Sequence, residues 1–344
     1  MKSKNTYVLL FLSMALVLSI LISCTTGQIK LTISDICQTL GANLFNYEFA
    51  NKDLYTDIIF NLRLPRILLA SLVGCGLAMC GSVMQTSVQN PLADPYILGI
   101  SSGASLGATF SILLGLGTGT FLGELGIAIW AFTGAVLAIT FVFFIAGFKS
   151  KISSVRLILA GVIVNTLCIS ISNFLVYFAQ DAEGIRSVAF WTMGSLANAN
   201  WLQVAVLFLL ILISAIYFLS KRKVMNIMLN GDDIAITLGV DGNLYRKIFM
   251  TIVASLTGFM VANCGVIGFV GLTIPHIIRG IMRTSDNKNL PIAMIAGAIF
   301  LVWSDYISRM LLNNGEIPIG IITSMIGTPL FIYVFIQKGY GVKR

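Results

Sequence analysis

Charge is what this sequence has least of. Only 10% of its 344 residues are Asp, Glu, Lys or Arg, where a soluble domain carries about 25%. So few charged groups cannot cover a water-facing surface of this size, which excludes a soluble globular enzyme. Histidine is almost missing: His276 stands alone, and a His-rich metal centre is excluded with it. The six cysteines, Cys24, Cys37, Cys75, Cys80, Cys168 and Cys264, form no C-x-x-C pair and lie mostly inside apolar runs. Neither a zinc site nor a disulfide framework is expected. No G-x-x-x-x-G-K-[ST] string occurs; GFKS at 147–150 comes nearest and lacks the spacing. Any ATP-driven step therefore requires an ATPase on another polypeptide. Net charge +8 invites an acidic partner, yet no basic run carries the interleaved aromatics of a nucleic-acid surface.

What the chain has is apolar length: 57% of it is hydrophobic. The apolar runs are continuous rather than alternating, so helices satisfy the backbone in lipid and a closed barrel does not apply. At roughly 20 residues per crossing, ten spans are read: 7–26, 64–85, 96–115, 126–147, 157–178, 202–220, 246–263, 265–283, 291–311 and 320–337. The run from 246 to 283 can be divided in other ways, and Pro275 interrupts its second half. Lys2 and Lys4 before an apolar stretch ending in LISC (21–24) resemble a lipoprotein signal with Cys24 as the lipidated residue. A first span is the reading adopted, because the rest of the chain is equally apolar and needs no export signal.

The distribution of basic residues sets the orientation. With the amino terminus inside, 16 of the 22 lysines and arginines fall on the inner side. Six remain outside: Lys30, Lys52, Arg63, Arg66, Arg186 and Arg309. Both termini are therefore expected in the cytoplasm.

Arg63 and Arg66 then lie outside, flanking Pro65, which suits a first helical turn because its missing N–H costs nothing there. Two readings are open. The arginines can snorkel to headgroups, or stand on a rigid rim pointing away from the membrane and meet carboxylates of a docking protein. Gly99, Gly103 and Gly107 recur every fourth residue, as do close-packed helix faces. The link 88–99 holds two prolines, each disfavouring helix before it, with Asn90 and Asp94 placed to cap the turns that follow. GEIPIG (315–320) breaks the chain and permits a short re-entrant piece. Asp305, inside a span, is either a functional site or the partner of a nearby polar group. The scarcity of other deep ionisable groups counts against an ion-coupled carrier.

Between the sixth and seventh spans, residues 224–247 are too polar to cross and too few for a domain. Asn230 or Gly231 can start a short helix with Asp232 and Asp233 in its first turn. Ile234, Ala235 and Leu238 share a face, and Gly239 can end it. The local pattern fits a plain connecting helix, or one that inserts into a partner's groove. Its acidic start disfavours an anionic lipid surface.

Seven segments occur in order: RLPR (63–66), QNPLADPYILGISSGASLGA (89–108), LILAGVIVNT (157–166), WTMGSL (191–196), GDDIAITLGV (231–240), GVIGFVGLTIPHIIR (265–279) and EIPIGIITSMIGTP (316–329). Together they closely resemble the FecCD family of ABC importer permeases, which includes cobalamin, haem and ferric-siderophore permeases. The resemblance runs from about residue 60 to 337. It implies an all-α, polytopic permease of the cobalamin-permease type, with residues 1–344 as a single transmembrane domain in the bacterial cytoplasmic membrane. It further implies a second permease copy or paralogue, two cytoplasmic ATPase subunits carrying the ATP and magnesium, and an extracytoplasmic substrate-binding protein. No cofactor and no nucleic acid is expected on this chain.

By the same resemblance, Arg63, Arg66 and Arg309 meet glutamates of the binding protein. Gly231, Asp232, Asp233, Ala235, Leu238, Gly239 and Val240 form the coupling element seated in an ATPase groove. Asn90, Leu92, Ser153 and Ser154 form the cytoplasmic gate. His276 sits in the family's Pro-His pair and is expected to serve packing. One departure is GDD where many relatives have a glutamate after the glycine; the added charge of Asp233 implies a more basic groove. Ferric siderophores are the expected cargo, with cobalamin or haem as the alternative. A partner-independent secondary transporter is the rival from another class.

Overall fold

The computed structural model describes residues 2–27, 29, 31–45, 52–115, 123–148, 153–282, 289–312 and 315–337. Among these, every regular element is helical. In chain order they are α1 (Lys2–Thr25), α2 (Ile33–Phe45), α3 (Lys52–Thr56), α4 (Leu64–Ser87), α5 (Ile100–Leu113), α6 (Gly123–Gly147), α7 (Ser154–Phe178) and α8 (Ala182–Thr192). There follow α9 (Trp201–Ser220), α10 (Arg222–Met228), α11 (Asp232–Thr237), α12 (Gly242–Cys264), α13 (Val270–Met282), α14 (Leu290–Met310) and α15 (Ile319–Gln337). All ten expected spans coincide with helices. Seven described helical segments are long and apolar enough to cross a membrane, while α5, α13 and the apolar part of α15 are shorter. Of the basic residues used to orient the chain, Lys30, Lys149, Lys151, Arg283, Lys288, Lys338, Lys343 and Arg344 lie outside the described residues.

α4 is the central post. It packs against α14, α13, α12 and α9, and most of its side chains are buried. Glycine allows the approach: a Cβ on Gly74 would strike the backbone of Gly297 in α14, and one on Gly81 would strike Gly271 in α13. Gly103 and Gly107 meet α6 in the same way, against Gly134 and Trp130. Gly99 departs from that expected stripe. It sits at φ +73° in the turn before α5, a conformation glycine takes without steric cost.

The second expected span begins at 64 with Pro65 in its first turn, and α4 does begin at Leu64, but a π-helical turn, Asp57–Arg63, runs straight into it. In that register Leu64 N–H donates to the Ile59 carbonyl, so Pro65, which has no N–H, would have served Phe60. Trp201 Nε1, at the start of α9, donates to the Phe60 carbonyl at 2.9 Å in its place. Pro275 poses the same problem inside α13, because it leaves the Gly271 carbonyl without its helical donor. Gln85 of α4 supplies one, its Nε2 lying 3.2 Å from both the Gly271 and Leu272 oxygens. Arg279 in turn donates to Gln85 Oε1.

Three chain breaks are joined by backbone bonds. Ser195 N–H donates to the Cys264 carbonyl at 2.9 Å, Ile319 N–H to Gly194 at 3.1 Å, and Gly320 N–H to Met193 at 3.0 Å. The WTMGSL segment thus satisfies the ends of α12 and α15, as irregular backbone among membrane helices requires. His276 is buried, its ring set edge-on to Phe331 with centroids 6.3 Å apart, which fits the packing role expected of it. Four described helices, α2, α3, α8 and α10, lie outside the expected spans and the expected loop helix. Thr32 and Asp35 form a reciprocal cap at the start of α2: Thr32 N–H donates to Asp35 Oδ2 at 2.8 Å and Asp35 N–H to Thr32 Oγ1 at 3.2 Å. Those Thr32 bonds hold the Asp35 carboxyl below its ordinary range. Asp181 caps α8 through the Glu183 N–H.

Candidate functional site

The notable side chains gather at the two ends of α4. At its first turn the structure brings Arg63, Arg66 and Arg309 together, but turns them inward. None is more than 11% exposed. This corrects the expectation of rim charges pointing away from the membrane. Buried cations need partners, and each has found them within the chain. Asp305 is fully buried between two arginines: Arg66 Nε donates to Oδ1 at 2.8 Å, and Arg309 Nε, one turn along α14, donates to Oδ2 at 2.9 Å. Of the two readings open for Asp305, the partnered one holds.

The remaining guanidinium donors cap α1. Arg309 Nη1 reaches the Thr26 carbonyl at 2.6 Å and its Nη2 the Ser23 Oγ at 2.6 Å. Arg63 forks to the carbonyls of Cys24, at 2.5 Å, and Ile29. The last carbonyls of a helix lack internal partners and carry partial negative charge, so two arginines there satisfy both needs. Cys24 is buried in a helix that continues to Thr25, as the span reading requires. Arg66 Nη1 takes a second carboxylate, Glu316, at 2.6 Å. Glu316 is the open member of the group, its side chain 39% exposed. It precedes α15 on a segment folded back on α14, where Ile317 N–H donates to the Ser308 carbonyl at 3.3 Å. Neither Glu316 nor its link to Arg66 was singled out from sequence. Its neighbourhood in the GEIPIG break was the available signal.

At the far end of α4 lies the polar loop. The helix expected there forms as α11, with Gly231 at φ +112° before it and Gly239 at φ +74° after it. Asp232 and Asp233 occupy its first turn, where helix polarity favours negative charge. The expected shared face divides, however. Ala235 is buried towards Gly242 of α12, while Ile234, Ile236 and Leu238 face outward, Ile236 at 68% and Leu238 at 59% exposure. A six-residue helix buries only its smallest apolar residue and leaves the larger ones unpartnered by this chain.

A cavity of about 450 Å³ joins this loop to the start of α7; Ser153, Asp232, Gly239, Val240 and Arg246 line part of it. Ser153 caps α7 through the Arg156 N–H, and Ser154 is the helix's first residue. Asn90 Oδ1 accepts from Leu92 N–H at 2.9 Å and Asp94 Oδ1 from Tyr96 N–H at 2.8 Å. Both caps expected on the 88–99 link are therefore present. Gln89 connects that link to α11, its Nε2 lying 3.1 Å from Asp232 Oδ1. Ser153 and the loop residues thus share one cavity, whose lining includes neither Asn90 nor Leu92.

This arrangement, with seven span-length helical segments among the described residues, α4 one of them, is that of a polytopic integral membrane protein. The sequence profile of the FecCD transport family matches residues 15–337. An uncharacterised ABC transporter permease protein of Bacillus subtilis, YvrB, is 35% identical over 95% of this chain and 92% of its own. The hemin transport system permease protein HmuU of Yersinia pestis is 35% identical over 95% of each chain. The molybdate import system permease protein MolB of Haemophilus influenzae is 35% identical over 98% of each. A solved metal-chelate type ABC transporter in an inward-facing conformation superposes with a TM-score of 0.84 at 31% identity, covering 96% of this chain and 99% of that one. The chain belongs to the FecCD transport family of ABC importer permeases.

Proposed function

We propose that this chain is the membrane subunit of an ATP-driven importer that moves a ferric siderophore complex from an extracytoplasmic binding protein into the cytoplasm. One observation carries the reading. α4 begins beside the arginine group and ends against the polar loop, a rod of about 30 Å between Arg66 and Ser87 at helical rise. A protein docked at one end and a motor seated at the other would act on the same helix.

In this reading both termini are cytoplasmic and the buried arginine group lies at the extracytoplasmic end of α4. Because Arg63, Arg66 and Arg309 are engaged within the chain, a carboxylate on the binding protein docks by exchange with Glu316 at Arg66. The ATPase takes α11 through Ile236 and Leu238, with Gly231, Asp232, Asp233, Ala235, Gly239 and Val240 shaping the element. Asn90, Leu92, Ser153 and Ser154 close the inner end of the path. A second permease copy or paralogue covers the exposed face of α7, where Leu159, Ile163, Thr166, Ser170 and Phe174 point outward. Cobalamin or haem is the alternative cargo. The names of relatives, a hemin permease and vitamin B12 permeases among them, support that alternative no less than a siderophore.

The test is reconstitution of the permease with its ATPase and binding protein in liposomes. ATP-dependent uptake of radio-iron as a ferric hydroxamate siderophore is expected. Uptake of labelled cobalamin or haem alone would reassign the cargo. Uptake without ATPase or binding protein would replace the importer with a secondary transporter.

A further inference from the structure

Among the described residues, Arg246 is the largest side chain that is almost wholly buried, 1% exposed near the start of α12. An ion there costs several kcal/mol to desolvate, and a methionine would fill the space. What the guanidinium adds is a planar fork that bonds two groups at once. Its Nε donates to the Ser87 carbonyl at 3.0 Å, and its Nη2 to Asp232 Oδ1 at 2.6 Å. Ser87 ends α4 and Asp232 opens α11. One side chain therefore joins three helices.

A second arm runs parallel to it. Gln89 Nε2 donates to the same Asp232 oxygen and to the Met228 carbonyl at 2.9 Å. Gln89 stands at φ +53°, a left-handed conformation that a non-glycine residue holds only where its surroundings impose it. It lies one residue before Asn90, at the head of the 88–99 link. Asn90 N–H returns to the Gln85 carbonyl at 3.1 Å.

We infer that Arg246 is the positioning residue that makes the 88–99 link follow α11. This rests on the reading of α11 as the ATPase seat. A displacement of α11 carries Asp232, Asp232 draws on the Arg246 fork, and the fork holds the last carbonyl of α4, from which the link departs. Without the fork, the described side-chain hydrogen bond that still ties α11 to the link is that of exposed Gln89.

Hydrogen–deuterium exchange on the full permease in nanodiscs with its ATPase tests this, using a non-hydrolysable ATP analogue as the trigger and no cargo. In the wild type, nucleotide is expected to alter exchange in both 224–247 and 88–99. In Arg246→Ala the response of 224–247 persists and that of 88–99 is lost. Arg246→Lys keeps the buried charge but not the fork. It is expected to lose the same response with a melting temperature near wild type, and it carries the test if the alanine variant does not assemble. A link that responds as in the wild type in the lysine variant overturns the assignment. So does a uniform rise in exchange that leaves the nucleotide-dependent difference intact, the mark of a merely structural role. A wild-type 224–247 segment indifferent to the ATPase removes the seat and this role together.

Discussion

Arg66 and Glu316 lie 250 positions apart in sequence, yet Nη1 and Oε1 are 2.6 Å apart. The guanidinium is nearly buried and the carboxylate is half open, so the pair can be parted from the solvent side without unfolding anything. Glu316→Gln removes the resident competitor from Arg66. A partly exposed pair is worth about 0.2–1 kcal/mol, so association with the binding protein is expected to tighten by up to about fivefold in biolayer interferometry on nanodisc-held complex. Weaker association would separate Glu316 from the docking surface.

Asp305→Asn acts in the opposite direction, on the fold. It leaves two buried guanidiniums facing a neutral amide, a loss of the size of breaking a buried pair, about 3–5 kcal/mol. The melting temperature in nanodiscs should fall clearly. A melt equal to that of the wild type would contradict the shared-carboxylate geometry.

The two proline repairs should rank by burial. Gln85→Leu leaves the buried Gly271 carbonyl without its donor and removes the bond from Arg279, costing about 1–3 kcal/mol. Trp201→Phe removes one bond at an exposed carbonyl, where water replaces it, costing about 1 kcal/mol or less. Thermal melts of both variants read the order directly, and a reversed order would refute the account.

Ile236→Asp and Leu238→Asp alter side chains that touch little of this chain. Thermal stability should be unchanged. Association with the ATPase should weaken by about 2 kcal/mol each, as for anchor residues, read as lost co-purification. Full retention of the ATPase by both variants would move its seat elsewhere.

Local rules read well in this chain. Continuous apolar runs located all ten expected helices, and Asn90, Asp94, Gly231 and Gly239 do what their residue types predict. The arginines did not follow. Seen along the chain, Arg63 and Arg66 are charges at a helix end, which implies exposure. Their burial depends on Asp305, Glu316 and the end of α1, which only the three-dimensional packing brings near. Ala235 misled similarly, since periodicity places it beside Ile234 but only contact with α12 decides which residue turns inward. α2 and α8 were hidden because they are short and lie outside the apolar runs, although T-x-x-D at Thr32 was a readable start signal. Gln85 and Trp201 carried no signal, because the need each meets is created by a proline elsewhere.

The three backbone bonds from residues 193–195 to Cys264, Ile319 and Gly320 have a mechanical consequence. None of these segments can withdraw alone without breaking the bonds that tie it to the others. The ends of α12 and α15 and the segment between α8 and α9 must travel as one body. The conformational change that admits cargo must therefore bend around this body, never through it.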